Sequence, residues 1–246
     1  MNHYQRPRGF TLTEIAVVLV IISLLIGGML VPLSAQQDSR YYTETQKSLD
    51  EIKDALTGYA IANGRLPCPA LATTTTGTAE AATSSGCTNL AGVLPWATLG
   101  VKEVDAWGNR FTYRVSAEYA RTATGQTTFT SGCIPDTTPA ASAFALCSSG
   151  DMTIRSTAGG TILANTIPAV VISHGKNANG AYTNQGTQLD SGSDADELDN
   201  QLTGGGTTTA NTDFVSKTPT PTFDDLVIWL SPNVIANRML SAGKLP

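Results

Sequence analysis

Arg8-Gly9-Phe10-Thr11-Leu12-Thr13-Glu14 leads into residues 15–31, a run without a single charged side chain. Across residues 10–31 the one charge is therefore Glu14. As a helix this stretch would extend about 33 Å, the hydrocarbon thickness of a bilayer. The preceding residues 1–9 carry Arg6 and Arg8 and no acid. Basic residues on the short side predict that this end stays in the cytoplasm while the rest is sent outward. Two ordinary readings suit such a pattern. One is a cleaved secretory signal, for which Ser34-Ala35-Gln36 offers a mediocre small-residue site. The other is an uncleaved anchor.

Glu14 fits neither reading. A carboxylate near the start of a membrane helix is costly unless neutralised, and is by default functional. Cleavage after Gly9 would make Phe10 the new amino terminus. Its ammonium on one subunit would then pair with Glu14 of a neighbour inside an apolar bundle. That pairing offsets the burial of both charges and fixes the stagger between subunits.

With these residues in view, the segment from Arg8 to Glu14 and the apolar run behind it resemble the leader of type IV pilins and type II secretion pseudopilins. The match includes the short basic leader, Gly9 before the cut, Phe10 after it and Glu14. The resemblance implies that a prepilin peptidase cuts between Gly9 and Phe10 and methylates the new terminus on Phe10. It also implies partners: other pilin or pseudopilin subunits, an inner-membrane assembly platform and membrane lipid. The expected location is a single pass of the inner membrane with the head in the periplasm, followed by a pilus or pseudopilus.

Beyond the apolar run the helix is expected to continue. Tyr42, Leu49, Ile52, Leu56 and Tyr59 recur at helical spacing, with Lys47, Asp50, Glu51, Lys53 and Asp54 on other faces. Asn63-Gly64 supplies a stop and Pro67 forbids continuation. Gly27, Gly28 and Pro32 are weak points where the helix would bend.

After Gly64 the composition turns to Thr, Ser, Gly, Ala and Pro. Alternation or compact apolar runs predict strands at residues 110–116, 152–155, 169–173 and 226–230, with a weaker one at 127–130. Asp105 to Asn109 and Asn177 to Gly180 read as turns, and Ser231-Pro232 opens a short helix that Gly243 ends. Trp96, Trp107 and Trp229 are expected to anchor the core. The predicted class is α+β: a long N-terminal helix, half membrane-spanning and half amphipathic, carrying a head with an antiparallel sheet. The expected divisions are a leader at 1–9, an assembly helix at 10–35, its amphipathic continuation at 36–64 and the head at 65–246. Trp107-Gly108-Asn109, with Asp105 before it and Tyr113 after, resembles a stretch of major pseudopilins, although Ala106 and Arg110 stand where that stretch has prolines. Family sizes suggest a minor or specialised subunit rather than a shaft pilin.

Composition bounds the remaining possibilities. The 246 residues are 41% hydrophobic and only 14% charged, with 15 basic against 20 acidic side chains. That is enough length and apolar content for a packed core, which excludes a wholly disordered chain. The net charge of -5 argues against gripping nucleic acid by bulk charge. Four cysteines in no CxxC pair exclude the common zinc-finger spacings. In an oxidising periplasm Cys68, Cys87, Cys133 and Cys147 allow three pairings. Cys68–Cys87 and Cys133–Cys147 are favoured because each would close a loop with little core of its own, a closure worth about 3 kcal/mol.

Asp190, Asp194, Asp196, Glu197 and Asp199 form the most acidic stretch. It reads first as a solvated loop and second as a calcium site, since calcium takes six to eight oxygens. The resemblance adds weight to calcium, because major pseudopilins carry such a site in their carboxy-terminal loops. Enzyme chemistry finds little support. His174 is the one histidine beyond the leader, and Ser173 beside it would point to the opposite face of a strand. No nucleophile elbow, zincin motif or nucleotide loop is present. The reading is a pilin-like structural subunit and not an enzyme. The alternatives are a filament-tip adhesin, with Thr73 to Thr76 and Thr207 to Thr209 as contact loops, and an anchored periplasmic enzyme.

Overall fold

A computed structural model describes residues 9–122, 142–201 and 211–245, with the backbone but not the side chains of residues 28–34. The weaker strand at 127–130, Cys133 and the Thr207 to Thr209 loop lie outside the described residues. The chain divides into two compact units, Met1–Thr43 and Glu44–Pro246. The boundary falls inside the first helix, α1 (Leu12–Asn63).

In the first unit, the described apolar side chains of α1 are exposed, from Leu12 at 87% to Ile26 at 56%. Among the described residues, no helix is long and apolar enough to cross a membrane. The described residues do not show the membrane-spanning helix expected over residues 10–31, since the side chains that the structure describes along this stretch end at Gly27. At the far end, α1 stops as its sequence predicts. Gly64 adopts φ 69°, which a side chain would disfavour, and its N–H returns to the Ala60 carbonyl at 2.8 Å.

The second unit is layered around one sheet. Its strands are β1 (Ala82–Thr83), β2 (Gly86–Cys87), β3 (Ala91–Val93), β4 (Asn109–Arg110), β5 (Thr112–Val115), β6 (Met152–Arg155), β7 (Ile162–Ile167), β8 (Ala169–Ser173), β9 (Tyr182–Thr183), β10 (Asp213–Val215) and β11 (Leu226–Leu230). Single-turn helices α2 (Trp96–Leu99), α3 (Ala117–Ala120) and α4 (Ala195–Leu198) interrupt them, and α5 (Pro232–Ser241) closes the chain. The main sheet runs β11-β8-β5-β3, antiparallel throughout. A second sheet runs β10-β6-β7, in which β10 lies parallel to β6.

Strand β8 shows why the layers form. All five of its residues are buried. Ala169 and Val171 join one core with Leu49, Ile52, Leu56 and Ala60 of α1, while Val170 and Ile172 join another with Ile154 and Phe214 of the second sheet. Alternate side chains point to opposite faces, so a fully apolar strand must be covered on both. Each large aliphatic side chain so buried contributes about 1.5–3 kcal/mol. Of the tryptophans, Trp96 is buried, while Trp107 and Trp229 are half-buried against the cores.

The Asp105 turn fastens α1 to the sheet. Asp105 Oδ1 accepts the N–H groups of Trp107 and Asn109 at 3.0 Å, and Oδ2 accepts Ser173 Oγ–H at 2.6 Å. Thr45 on α1 accepts the Ala106 N–H at 3.2 Å. The disulfide Cys68–Cys87 joins the segment after α1 to β2, with Cα atoms 5.6 Å apart. Cys147 is also disulfide-bonded, and its expected partner, Cys133, is among the residues not described.

Candidate functional site

Two regions gather the residues singled out by sequence. At the amino end, Gly9 and Phe10 precede α1 and are exposed, Phe10 at 82%. A Cβ at Gly9 would meet nothing within 4 Å, so its value cannot lie in intramolecular packing. Thr11 and Glu14 form a reciprocal cap. The Thr11 N–H and hydroxyl both donate to Glu14 Oε2 at 3.0 Å, and the Glu14 N–H donates to Thr11 Oγ1 at 3.3 Å. This is a capping box, which satisfies amides left unpaired at a helix start. Its Thr-x-x-Glu signature stands in the sequence, yet reading Glu14 solely as an assembly charge passed over it.

In the head, the antiparallel pairing of β8 with β11 sets Ser173 opposite Leu226. The residues just after β8 thus lie beside those just before β11. His174, wholly buried, shares a 2.8 Å hydrogen bond between Nε2 and Thr112 Oγ1. Its Nδ1 lies 3.5 Å from Asp225 Oδ1. Asp225 Oδ2 accepts an amide N–H of Asn200 at 2.8 Å, and Asn200 also brackets the backbone of Val215. Hydroxyl, imidazole and carboxylate stand in the order of a hydrolytic triad. Thr112 is only 1% exposed, however, so its hydroxyl has no access to a substrate.

Glu197, projecting from α4, is buried beside this chain. Its Oε1 and Oε2 accept the side-chain amides of Asn177 and Asn179, each at 2.6 Å. Asp224 Oδ2 accepts the N–H groups of Lys176 and Asn177 at 2.9 Å. Carboxylate oxygens from Glu197, Asp224 and Asp225 lie within 4.8 Å of one another. Burial pushes the Asp224 carboxyl above its usual range, and the neighbouring Glu197 and Asp225 push the same way against its backbone hydrogen bonds.

The acidic run expected to hold calcium is not one site. Asp190 is exposed, and its carbonyl accepts the Gly180 N–H. Asp194 caps α4, taking the N–H groups of Asp196 and Glu197. Asp196 pairs with Lys217 and accepts the Ala158 N–H at 2.6 Å. Burial pushes Asp196 up, but these hydrogen bonds outweigh it and hold the carboxyl below its usual range. Asp199 is half-buried, pushed up by burial and by Asp213 and Asp196. Helix geometry disperses the run, because neighbouring positions on a single turn face different ways. Only Glu197 reaches the cluster, and Asp224 and Asp225 were missed because 27 residues separate Glu197 from Asp224.

Compared with known proteins, residues 5–30 match a family model described as Prokaryotic N-terminal methylation motif, the signal of type IV pilins and pseudopilins. The matched stretch includes Gly9, Phe10 and Glu14. No curated protein and no solved structure matches the chain.

Proposed function

We propose that the chain is a structural subunit of a type IV pilus or type II secretion pseudopilus. In this reading a prepilin peptidase cleaves between Gly9 and Phe10 and methylates Phe10. The subunit waits in the inner membrane, with its head in the periplasm, until the assembly platform draws it into a filament with other subunits. The observation that carries the reading is the methylation motif over residues 5–30, joined to the early turns of α1, whose described apolar side chains stand exposed around the helix. Exposed Val, Leu and Ile on every side of a helix call for an apolar environment, either lipid or the packed helices of neighbouring subunits.

We read the head as non-enzymatic. Among the described residues, the one hydroxyl–imidazole–carboxylate chain is sealed inside it. A cleft of about 430 Å³ between α5 and the Phe144 segment offers, among the described residues, Tyr119 as its sole ionisable side chain. The adhesin alternative has no specific contact among the described residues to favour it.

Processing tests the proposal. Gly9→Val blocks the approach of the peptidase to the bond after it. The uncut precursor should then accumulate in the inner membrane and be absent from sheared filaments. A normally shortened chain from this variant would contradict the assigned site.

A further inference from the structure

We propose that Lys217 and Asp196 form a modification site, at which the chain closes an amide crosslink between its own side chains. The pair lies in the head, and the proposal does not rest on the filament reading.

Contact comes first. Asp196 stands on α4, while Lys217 lies two residues past the end of β10. Lys217 Nζ donates directly to Asp196 Oδ2. An amine is thereby held beside a carboxyl carbon, the arrangement that turns a condensation into a unimolecular step.

Surroundings set this pair apart. In the pairs Lys47–Glu51 and Lys102–Glu44 every side chain is more than half exposed. Lys217 and Asp196 are only 24% and 14% exposed. The buried ring of Phe223 covers the amine, its centroid 4.6 Å from Nζ. Burial is the largest influence on the Asp196 carboxyl and favours its neutral form, although its hydrogen bonds prevail while Lys217 remains charged. Passage of one proton from Nζ to Oδ2 relieves both groups of burial as ions. A neutral, shielded lysine amine is a nucleophile.

The carboxyl group is prepared as well. Asp196 Oδ1 accepts the Ala158 N–H at 2.6 Å. A donor at that oxygen stabilises the negative charge that develops there when nitrogen attacks carbon. Burial, with Asp213 and Asp196 nearby, holds the Asp199 carboxyl above its usual range. Asp199 is the group assigned to carry a proton from the nitrogen to the departing oxygen.

The step balances without a co-reactant. Lys217 begins as an ammonium and Asp196 as a carboxylate. The Nζ–Cγ bond forms and the Cγ–Oδ2 bond breaks. Oδ2 leaves as water with two of the ammonium protons, and the last proton stays on the amide nitrogen. Nothing is oxidised or reduced. The amide ties α4 to the end of β10 and, unlike the disulfide Cys68–Cys87, survives reduction.

The test is the intact mass of the full chain, purified in detergent, then denatured and reduced. Wild type should be lighter than its processed sequence by the mass of one water molecule. Trypsin should leave residues 177–238 as one peptide, because an acylated Lys217 is no longer a cleavage site. Lys217→Arg keeps the ion pair but lacks a nucleophilic amine, so it should regain the full mass, as should Asp196→Ala. Asp199→Asn should leave a mixture of closed and open chains, and complete closure in that variant would remove Asp199 from the step. Full mass and normal cutting after Lys217 in folded wild type, an ordinary ion pair only, overturns the proposal. A deficit of one water that persists in Lys217→Arg overturns it too, since the dehydration then lies elsewhere. The readout is covalent structure within the head, so either result leaves the filament reading standing.

Discussion

At the scale of single residues, Glu14 has two tasks that can be separated. In the chain by itself it completes a capping box with Thr11. In a filament it would neutralise the amino terminus of a neighbour. Glutamine keeps the capping geometry and removes the charge. Glu14→Gln should therefore preserve the start of α1 yet enter sheared filaments as poorly as Glu14→Ala, which also loses the reciprocal half of the capping box. If Gln restores incorporation to the wild-type level, the residue acts as a cap and the charge is dispensable. Asp105 offers a second test. Burial raises its carboxyl above the usual 3.8, against the opposing hydrogen bonds from Ser173, Asn109 and Trp107. Below 3.8 both folded and unfolded chains hold this proton. As pH rises toward the elevated folded value, the unfolded chain loses the proton first, so stability falls across that window. Asp105→Asn keeps an acceptor for the two backbone amides and has no proton to lose. The Tm of the variant minus that of wild type should thus grow more positive as pH rises from below 4 toward neutrality. A difference independent of pH would contradict the buried-carboxyl account.

At the scale of elements, the disulfide Cys68–Cys87 closes a segment of sequence separation 19 with few apolar residues of its own. Replacing both cysteines with serine should lower the unfolding free energy by about 3 kcal/mol. Unchanged chemical denaturation of that variant would show that the segment is held by other means. Peptide mapping without reductant should also join Cys133 to Cys147. What was legible in sequence at this scale follows from local physics. The end of α1 was readable from Asn63-Gly64, and β8 from five consecutive apolar or small residues bounded by Pro168 and the Gly175 turn. Strand β7 was not, because Ile162 and Leu163 are followed by Ala-Asn-Thr and four of its six residues are exposed. The carboxylate cluster of Glu197, Asp224 and Asp225 escaped for another reason. Its members come from α4 and from the segment that enters β11, far apart in sequence, whereas the acidic run offered more carboxylates at shorter spacing. Density of acids along the chain misled, since tertiary contact rather than spacing in sequence decides which of them converge.

At the scale of the whole molecule, an amino-terminal segment bearing the methylation motif and an α+β head share one helix, α1. Leu49, Ile52, Leu56 and Ala60 in its later turns belong to the head core, while the described apolar side chains of its early turns are exposed. The apolar residues of α1 thus change from every face in its early turns to a single stripe in its later ones. The motif was legible because charge, spacing and hydropathy coincide within a few residues. The most direct test is the intact mass and amino-terminal peptide of the chain recovered from the membrane of cells expressing it with a prepilin peptidase. The account predicts a chain that begins at N-methylated Phe10. A chain that retains Met1, or one cut beyond Ser34 like an ordinary secretory protein, would contradict it.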